Sequence, residues 1–263
     1  MCNMNTKSLR VASAAVIGAR HTRDARNGQD AAAAWCDANL AASVVCDGCG
    51  SGASSEVGAR LGARAVLRAI TARLKGTAAS DPRHLGFWDG VTSDVVAYLR
   101  AVAEGLGGDL EDVVHEHLLF TIVAAVVIED TACVWSVGDG GYAIDGVVHE
   151  LGPFDNNQPP YLAYELLGSQ AFARAHIAPV RTSVLVATDG AAEMRRGAGD
   201  LEIARISDDP AALVANPDAL RRYLAKQAKS EERIDWTAQR VIRTPALLQD
   251  DGAIGLIVRE VLS

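Results

Sequence analysis

The chain has 263 residues, of which 49% are hydrophobic and 22% charged, and its formal net charge is −8. The apolar content is sufficient for a full core, and we expect one domain over residues 1–263, because no linker-like stretch or block of charge divides the sequence. The acidic balance and the scattered Lys and Arg residues argue against nucleic acid and anionic membranes as partners.

The cysteine count bears on the compartment. Five cysteines are an odd number, and no secretory leader is recognisable, which favours free thiols in a reducing environment. No apolar run is long enough to span a bilayer. We therefore expect a cytoplasmic protein.

The first part of the chain predicts strands that end in acidic residues. Residues 1–8 are predicted to be a ragged terminus, and an apolar strand follows from Leu9 to Gly18. After a polar, turn-rich stretch that ends at Asp30, two short strands are predicted at 31–35 and 40–46, joined by a tight turn. Antiparallel pairing of these strands would place Asp30 and Asp47 at the same sheet edge.

The segment from Val44 to Gly52 is the stretch around which the predicted site is organised. A β-prone run brings Asp47 into a loop with three glycines, and a helix is predicted immediately afterwards over Ser54–Lys75. The loop differs from the phosphate-binding loops of nucleotide-binding proteins, because no Gly-Lys-Ser/Thr follows it and the side chain of Asp47 is an anion. The pattern suits a metal ligand, although taken alone it also fits an ordinary strand-to-helix turn.

The rest of the chain alternates helices, hairpins and acidic turns. A second helix is predicted at 88–106 and a short helix or turn at 110–117. A hairpin is predicted from strands at 120–128 and 131–137, and another follows around residues 145–146. A strand at 182–187 leads into Asp189, and a final strand at 253–258 follows Asp250 and Asp251. Residues 195–246 between them are predicted to be a helical segment.

Acidic residues thus stand at the ends of several separate strands, and these residues are Asp30, Asp47, Asp139, Asp189 and the Asp250/Asp251 pair. Carboxylates that are brought together repel one another, so such a cluster is stable only if a cation neutralises it. Oxygen ligands without paired His or Cys select hard ions such as Mg²⁺ or Mn²⁺. Ordinary Asp-Gly turn chemistry would explain any one of these positions without a metal.

The motifs and their order resemble one family. They are Gly-x-x-His before Asn27–Ala31, then Cys46–Gly52, Val137–Gly140, Thr188–Gly190 and Asp250-Asp251. From about residue 10 to residue 258, the chain is similar to the bacterial branch of the PP2C-type metal-dependent protein serine/threonine phosphatases. The resemblance implies an α+β fold: a four-layer α-β-β-α sandwich of two mostly antiparallel sheets flanked by helices, with a binuclear metal site at one sheet edge.

The resemblance also implies roles for the acidic motifs. Two Mn²⁺ or Mg²⁺ ions, and possibly a third, would activate a bridging water that attacks phosphoserine or phosphothreonine. By similarity, Asp47 would bridge both ions, Asp30 and the carbonyl of Gly48 would hold one ion, Asp189 and Asp250 would hold the other, and Asp139 would match a ligand of the third position.

Three further residues are candidates for catalysis. His21 precedes Asp30 and has the chemistry of a proton donor to the leaving alkoxide, although an ordinary loop histidine fits the pattern equally well. The family has an arginine that grips phosphate shortly before the first acidic motif, and here both Arg23 and Arg26 are candidates. Cys49 stands where relatives often have Met or His; Cys46 and Cys49 have no second pair with zinc-site spacing.

The resemblance implies a phosphorylated protein substrate and a Ser/Thr kinase that opposes the enzyme. We expect a monomer. Two alternatives stay open: a catalytically silent phosphatase-like binding module, and a metal-dependent phosphoesterase that acts on a small molecule.

Overall fold

Two five-stranded antiparallel sheets pack face to face in the computed structural model, which describes residues 7–76, 80–155, 158–196 and 199–261. In spatial order, the first sheet contains β1 (Lys7–Val16), β14 (Gly252–Val261), β9 (Ser183–Ala187), β6 (Gly140–Ile144) and β7 (Val147–Leu151). The second sheet contains β2 (Asp30–Cys36), β3 (Leu40–Gly48), β4 (Phe120–Ile128), β5 (Thr131–Val137) and β8 (Ala173–Pro179).

Helices cover the outer face of each sheet. The second sheet packs against α2 (Ser55–Lys75), α3 (Leu85–Leu106), α4 (Leu110–Val113), a π-helical turn (Val114–Leu118) and a 3₁₀ helix (Leu162–Leu167). The first sheet packs against α5 (Asp189–Ala192), α6 (Glu202–Asp208), α7 (Ala211–Val214) and α8 (Ala219–Gln227). A short helix, α1 (Ala19–Arg23), joins β1 to β2. The expected four-layer α-β-β-α sandwich is confirmed.

The apolar runs of the central strands follow from this layering. Successive side chains of a strand point to opposite faces. Val44 of β3 accordingly packs beneath the helices and Val45 packs between the sheets, and both are fully buried. A strand that is covered on both faces needs apolar residues at consecutive positions rather than at every second one.

Most predicted elements are confirmed, and two predictions are wrong. Strand β1 already begins at Lys7, so the ragged terminus ends earlier than residue 8; residues 1–6 lie outside the described part. The segment 195–246 is not uniformly helical: besides α6 to α8 it holds the short ladder β10 (Arg195–Arg196) with β11 (Asp200–Leu201), and the hairpin β12 (Glu231–Asp235) with β13 (Arg240–Thr244).

The hairpin has a local cause. Its strands contain β-branched residues, of which Ile234 pairs with Val241. At its tip, the Asp235 side chain accepts hydrogen bonds from the backbone N–H groups of Thr237 and Ala238 at 3.1 and 3.0 Å, and Gln239 has a φ of 48°. These features favour a turn over a continuing helix.

Within the four described ranges, every helix is too short or too polar to cross a lipid bilayer.

The layering predicts the effect of truncating helix α3. Leu99 is fully buried under the second sheet, whereas Leu106 at the end of the same helix is 52% exposed. Leu99→Ala leaves a cavity, so we expect it to lower the free energy of unfolding by about 2–5 kcal/mol. Leu106→Ala is the matched control and should change it by less than about 1 kcal/mol. Urea denaturation measures both, and equal effects would contradict the described packing.

Candidate functional site

The acidic residues from both sheets meet at one end of the sandwich. The register of β2 and β3 places Asp30 directly opposite Asp47. From the other sheet, Asp189 begins α5 just after β9, and Asp250 precedes β14. Together with Asp139, in the turn between β5 and β6, they line a cleft of about 250 Å³. The structure therefore brings together all the acidic positions that the sequence singles out.

Glycines shape two of these positions. Gly138 and Gly140, on either side of Asp139, have φ values of 92° and 122°, which side-chain-bearing residues rarely adopt. At Gly48 a glycine is required for lack of space, because a Cβ there would lie 2.8 Å from the carbonyl oxygen of Ser55. The absence of a side chain at Gly48 lets the start of α2 approach the end of β3.

The carboxyl groups in the cleft contact one another. The Asp47 carboxyl is hydrogen-bonded to those of both Asp30 and Asp189, and Asp30 accepts a further hydrogen bond of 2.6 Å from the Thr188 hydroxyl. Burial raises the pKa of Asp30 to about 7 and, with repulsion from Asp189, the pKa of Asp139 to about 6. Burial and the neighbouring carboxylates hold the pKa of Asp47 well above its ordinary range.

This donor set fits divalent cations. Carboxyl groups that hydrogen-bond one another must share protons, and a cation of charge +2 in the cleft would take the place of those protons. The acidic ligands are all oxygen atoms, which suits Mg²⁺ or Mn²⁺. Asp47 contacts a carboxyl from its own sheet and one from the other sheet, so its position is central in the cluster.

A histidine is fixed at the edge of the cluster. His21 of α1 is buried, and its Nδ1 lies 2.7 Å from Oδ2 of Asp251. Asp251 also accepts backbone hydrogen bonds from Gly18 and Gln29 at 2.9 and 2.7 Å. A carboxylate only accepts, so Nδ1 carries a hydrogen and Nε2 faces Oδ1 of Asp250, 3.5 Å away. The ring is thus held with one nitrogen toward the cleft.

Of the two candidate arginines, one lies at the cleft. Arg26 lines the cleft and donates a hydrogen bond of 3.1 Å to the carbonyl of Gly50. Arg23 is exposed, pairs with Asp24 and is not among the residues that line the cleft. Arg20, which the sequence reasoning missed, lines the cleft and lies 3.9 Å from Asp250.

The sequence alone assigns no role to Arg20 and none of its own to Asp251, for two different reasons. Arg20 precedes His21 directly, but the stretch was expected to be a turn rather than helix α1. The sequence indicates Asp251 only as the neighbour of Asp250, because its contact with His21 spans 230 positions of sequence. Cys49 lies in the cleft wall, with its Sγ 3.1 Å from the hydroxyl of Ser51.

Comparisons with known proteins agree with this architecture. The family model described as Protein phosphatase 2C matches residues 17–238. A bacterial serine phosphatase structure is 15% identical, with a TM-score of 0.59, over 96% of this chain and 98% of that chain. The serine/threonine phosphatase of S. agalactiae is 14% identical, with a TM-score of 0.58, over 95% and 98%.

A third structure is the catalytic domain of the serine/threonine protein phosphatase PstP in complex with two manganese ions. It is 14% identical, with a TM-score of 0.54, over 97% of this chain and 99% of that chain. Identities this low show a shared fold only. Among the curated proteins, none matches this chain significantly. The family model covers most of the sequence, and the chain therefore belongs to the protein phosphatase 2C family.

Proposed function

We propose that the acidic cleft is a two-cation centre with which this phosphatase family member hydrolyses phosphoserine and phosphothreonine in proteins. The observation that carries the proposal is the position of Asp47, which contacts carboxyl groups from both sheets and so can be shared between two ions. Membership in the protein phosphatase 2C family supports the reaction class and its metal dependence.

We assign the ligand roles that the family resemblance implies to the residues that line the cleft. Asp47 would bridge the ions, with Asp30 and the carbonyl of Gly48 on one side, Asp189 and Asp250 on the other, and Asp139 at a third position. We propose Mn²⁺ or Mg²⁺ as the ions, because these carboxylate and carbonyl ligands are all oxygen. When bound, two such cations would supply a water-derived nucleophile and offset charge on the phosphoryl oxygens.

The other residues of the cleft handle phosphate and protons. The guanidinium groups of Arg20 and Arg26 stand at the rim, where they can pair with phosphate oxygens. His21 can deliver a proton from Nε2 to the leaving alkoxide, while Asp251 holds the ring in orientation. Arg23 is not among the residues that line the cleft, so we assign the phosphate contact to Arg20 and Arg26.

We further propose that the protein acts in the cytoplasm as a monomer, in bacterial signalling, and opposes a Ser/Thr kinase. The free thiols of Cys36, Cys46, Cys49 and Cys133 support a reducing compartment.

The reaction is tested by phosphate release from a phosphothreonine peptide. We expect turnover that requires Mn²⁺, stops with EDTA and falls at least about a hundredfold in Asp47→Asn, because that variant lacks the shared carboxylate. Asp130→Asn is the control, since it makes the same change at an exposed turn at the opposite end of β4. Folded, metal-binding protein without turnover would indicate the silent binding module instead, and preference for small phosphoesters would indicate the other alternative.

Proton donation by His21 predicts a dependence on the leaving group. A serine alkoxide needs protonation, whereas p-nitrophenolate does not. We expect His21→Ala to lose about a hundredfold in kcat on a phosphoserine peptide but less than about tenfold on p-nitrophenyl phosphate. The exposed His84→Ala is the control. Equal losses on both substrates would assign His21 a positioning role only.

The raised pKa values predict how metal and pH act on stability. The pKa of Asp30 is about 7 in the folded chain and lower, near 4, in an unfolded one. Between these values the folded state holds more protons, so this group's contribution to the free energy of unfolding falls as pH rises. The increase in Tm on adding Mn²⁺ should therefore be larger at about pH 7.5 than at about pH 5.5.

Metal-free Asp47→Asn should be at least as stable as the metal-free parent at about pH 7.5, because an amide cannot ionise and so adds no repulsion to the neighbouring carboxylates. A lower Tm for this variant than for metal-free Asp130→Asn would contradict carboxylate repulsion in the cleft.

A further inference from the structure

A row of arginines runs along α2 beside the candidate active site. Arg60, Arg64 and Arg68 are spaced four residues apart, so they lie on one face of the helix. All three are exposed, and none pairs with an acidic side chain of the described chain, although most arginines elsewhere in it do. In a protein of net charge −8, this is a local basic surface on an acidic background.

The arginines border two adjoining clefts. The first, of about 450 Å³, lies between α2 and the ends of β1 and β2, with Arg60 and Arg64 on its helical side. Asp30 lines this cleft and the acidic cleft alike. The second, of about 400 Å³, is lined by Arg64, Arg68 and the more apolar surface of Ala69, Ala72 and Tyr98. Asp94 also lines it, and its carboxylate pairs with Arg73 at 2.8 Å. Because Arg64 borders both, the clefts form one path that leads away from the active site.

The path has the dimensions of a short extended peptide. From Arg60 to Ala72 the helix rises about 18 Å, which an extended chain covers with about five or six residues. The wall opposite α2 contains Ala31 and Ala32 of β2. This strand is at the edge of its sheet and is paired with β3 on one side only, and an edge strand is the position at which a peptide strand can be added.

We propose that these two clefts dock an extended, acidic segment of the phosphoprotein substrate. This inference rests on the proposed function, since it places the phosphorylated residue beside Asp30. Acidic residues next to it in the substrate sequence would pair with Arg60 and Arg64, and an apolar side chain further along would contact Ala69 and Tyr98. Charge complementarity decides the partner: the exposed guanidinium groups of Arg60, Arg64 and Arg68 attract an anionic peptide segment and repel a cationic one.

The test compares two phosphothreonine peptides, one flanked by Asp residues and one by Ser and Gly. In the double variant Arg60→Glu/Arg64→Glu, we expect KM for the Asp-flanked peptide to rise at least about tenfold, with kcat on p-nitrophenyl phosphate within about twofold of the parent. Arg100→Glu on α3 makes the same kind of substitution at one other exposed helical position, with half the total change in charge, and should leave KM unchanged. Added salt should weaken the preference for the Asp-flanked peptide.

Binding without catalysis separates this proposal from the proposed function. Fluorescence anisotropy of a labelled, unphosphorylated Asp-rich peptide with the metal-free protein should show binding that the double variant loses. Such binding without turnover of any phosphopeptide would support docking of an acidic segment in the two clefts and refute the proposed phosphatase activity. Turnover with equal KM for both peptides would overturn the docking proposal. Tighter binding of a single-stranded DNA oligonucleotide than of the Asp-rich peptide would overturn it as well.

Discussion

The crowding of carboxyl groups in one cleft is the constraint on which the structure depends. Asp30 and Asp47 face each other across a strand pair, and Asp189 reaches Asp47 from the other sheet. Burial and the neighbouring carboxylates raise the pKa values of Asp30 and Asp47, so the ionised cluster is costly without a counter-charge. The same feature that destabilises the metal-free cleft at neutral pH would favour the binding of divalent cations there.

The sandwich meets this constraint by placing the carboxyl groups at or beside the ends of strands. Strand β3, which ends with Asp47 and Gly48, and strand β9, which precedes Asp189, are mostly or fully buried, which limits their movement. The Thr188 hydroxyl ties the two sheets together, because it donates to Asp30 and accepts from the backbone N–H of Ala253 at 2.8 Å. A site built from the ends of two sheets therefore has little freedom to rearrange when a cation binds or leaves.

The sequence allowed the acidic half of the site to be predicted because strand pairing is local. Asp30 and Asp47 belong to neighbouring strands whose turn fixes their register. The basic half was harder: Arg20 and His21 depend on α1, a helix of five residues, and on a partner 230 positions away. The 231–244 hairpin and edge strand β8 were missed because their exposed residues carry no buried pattern that a reader of the sequence could detect.

The most direct test of the central claim is the anomalous diffraction of a crystal soaked in Mn²⁺. Our account predicts two manganese peaks that share the Asp47 carboxylate, with Asp30 beside one peak and Asp189 and Asp250 beside the other. A single peak, or peaks that do not contact Asp47, would contradict the assignment of this carboxylate as the bridge between two ions.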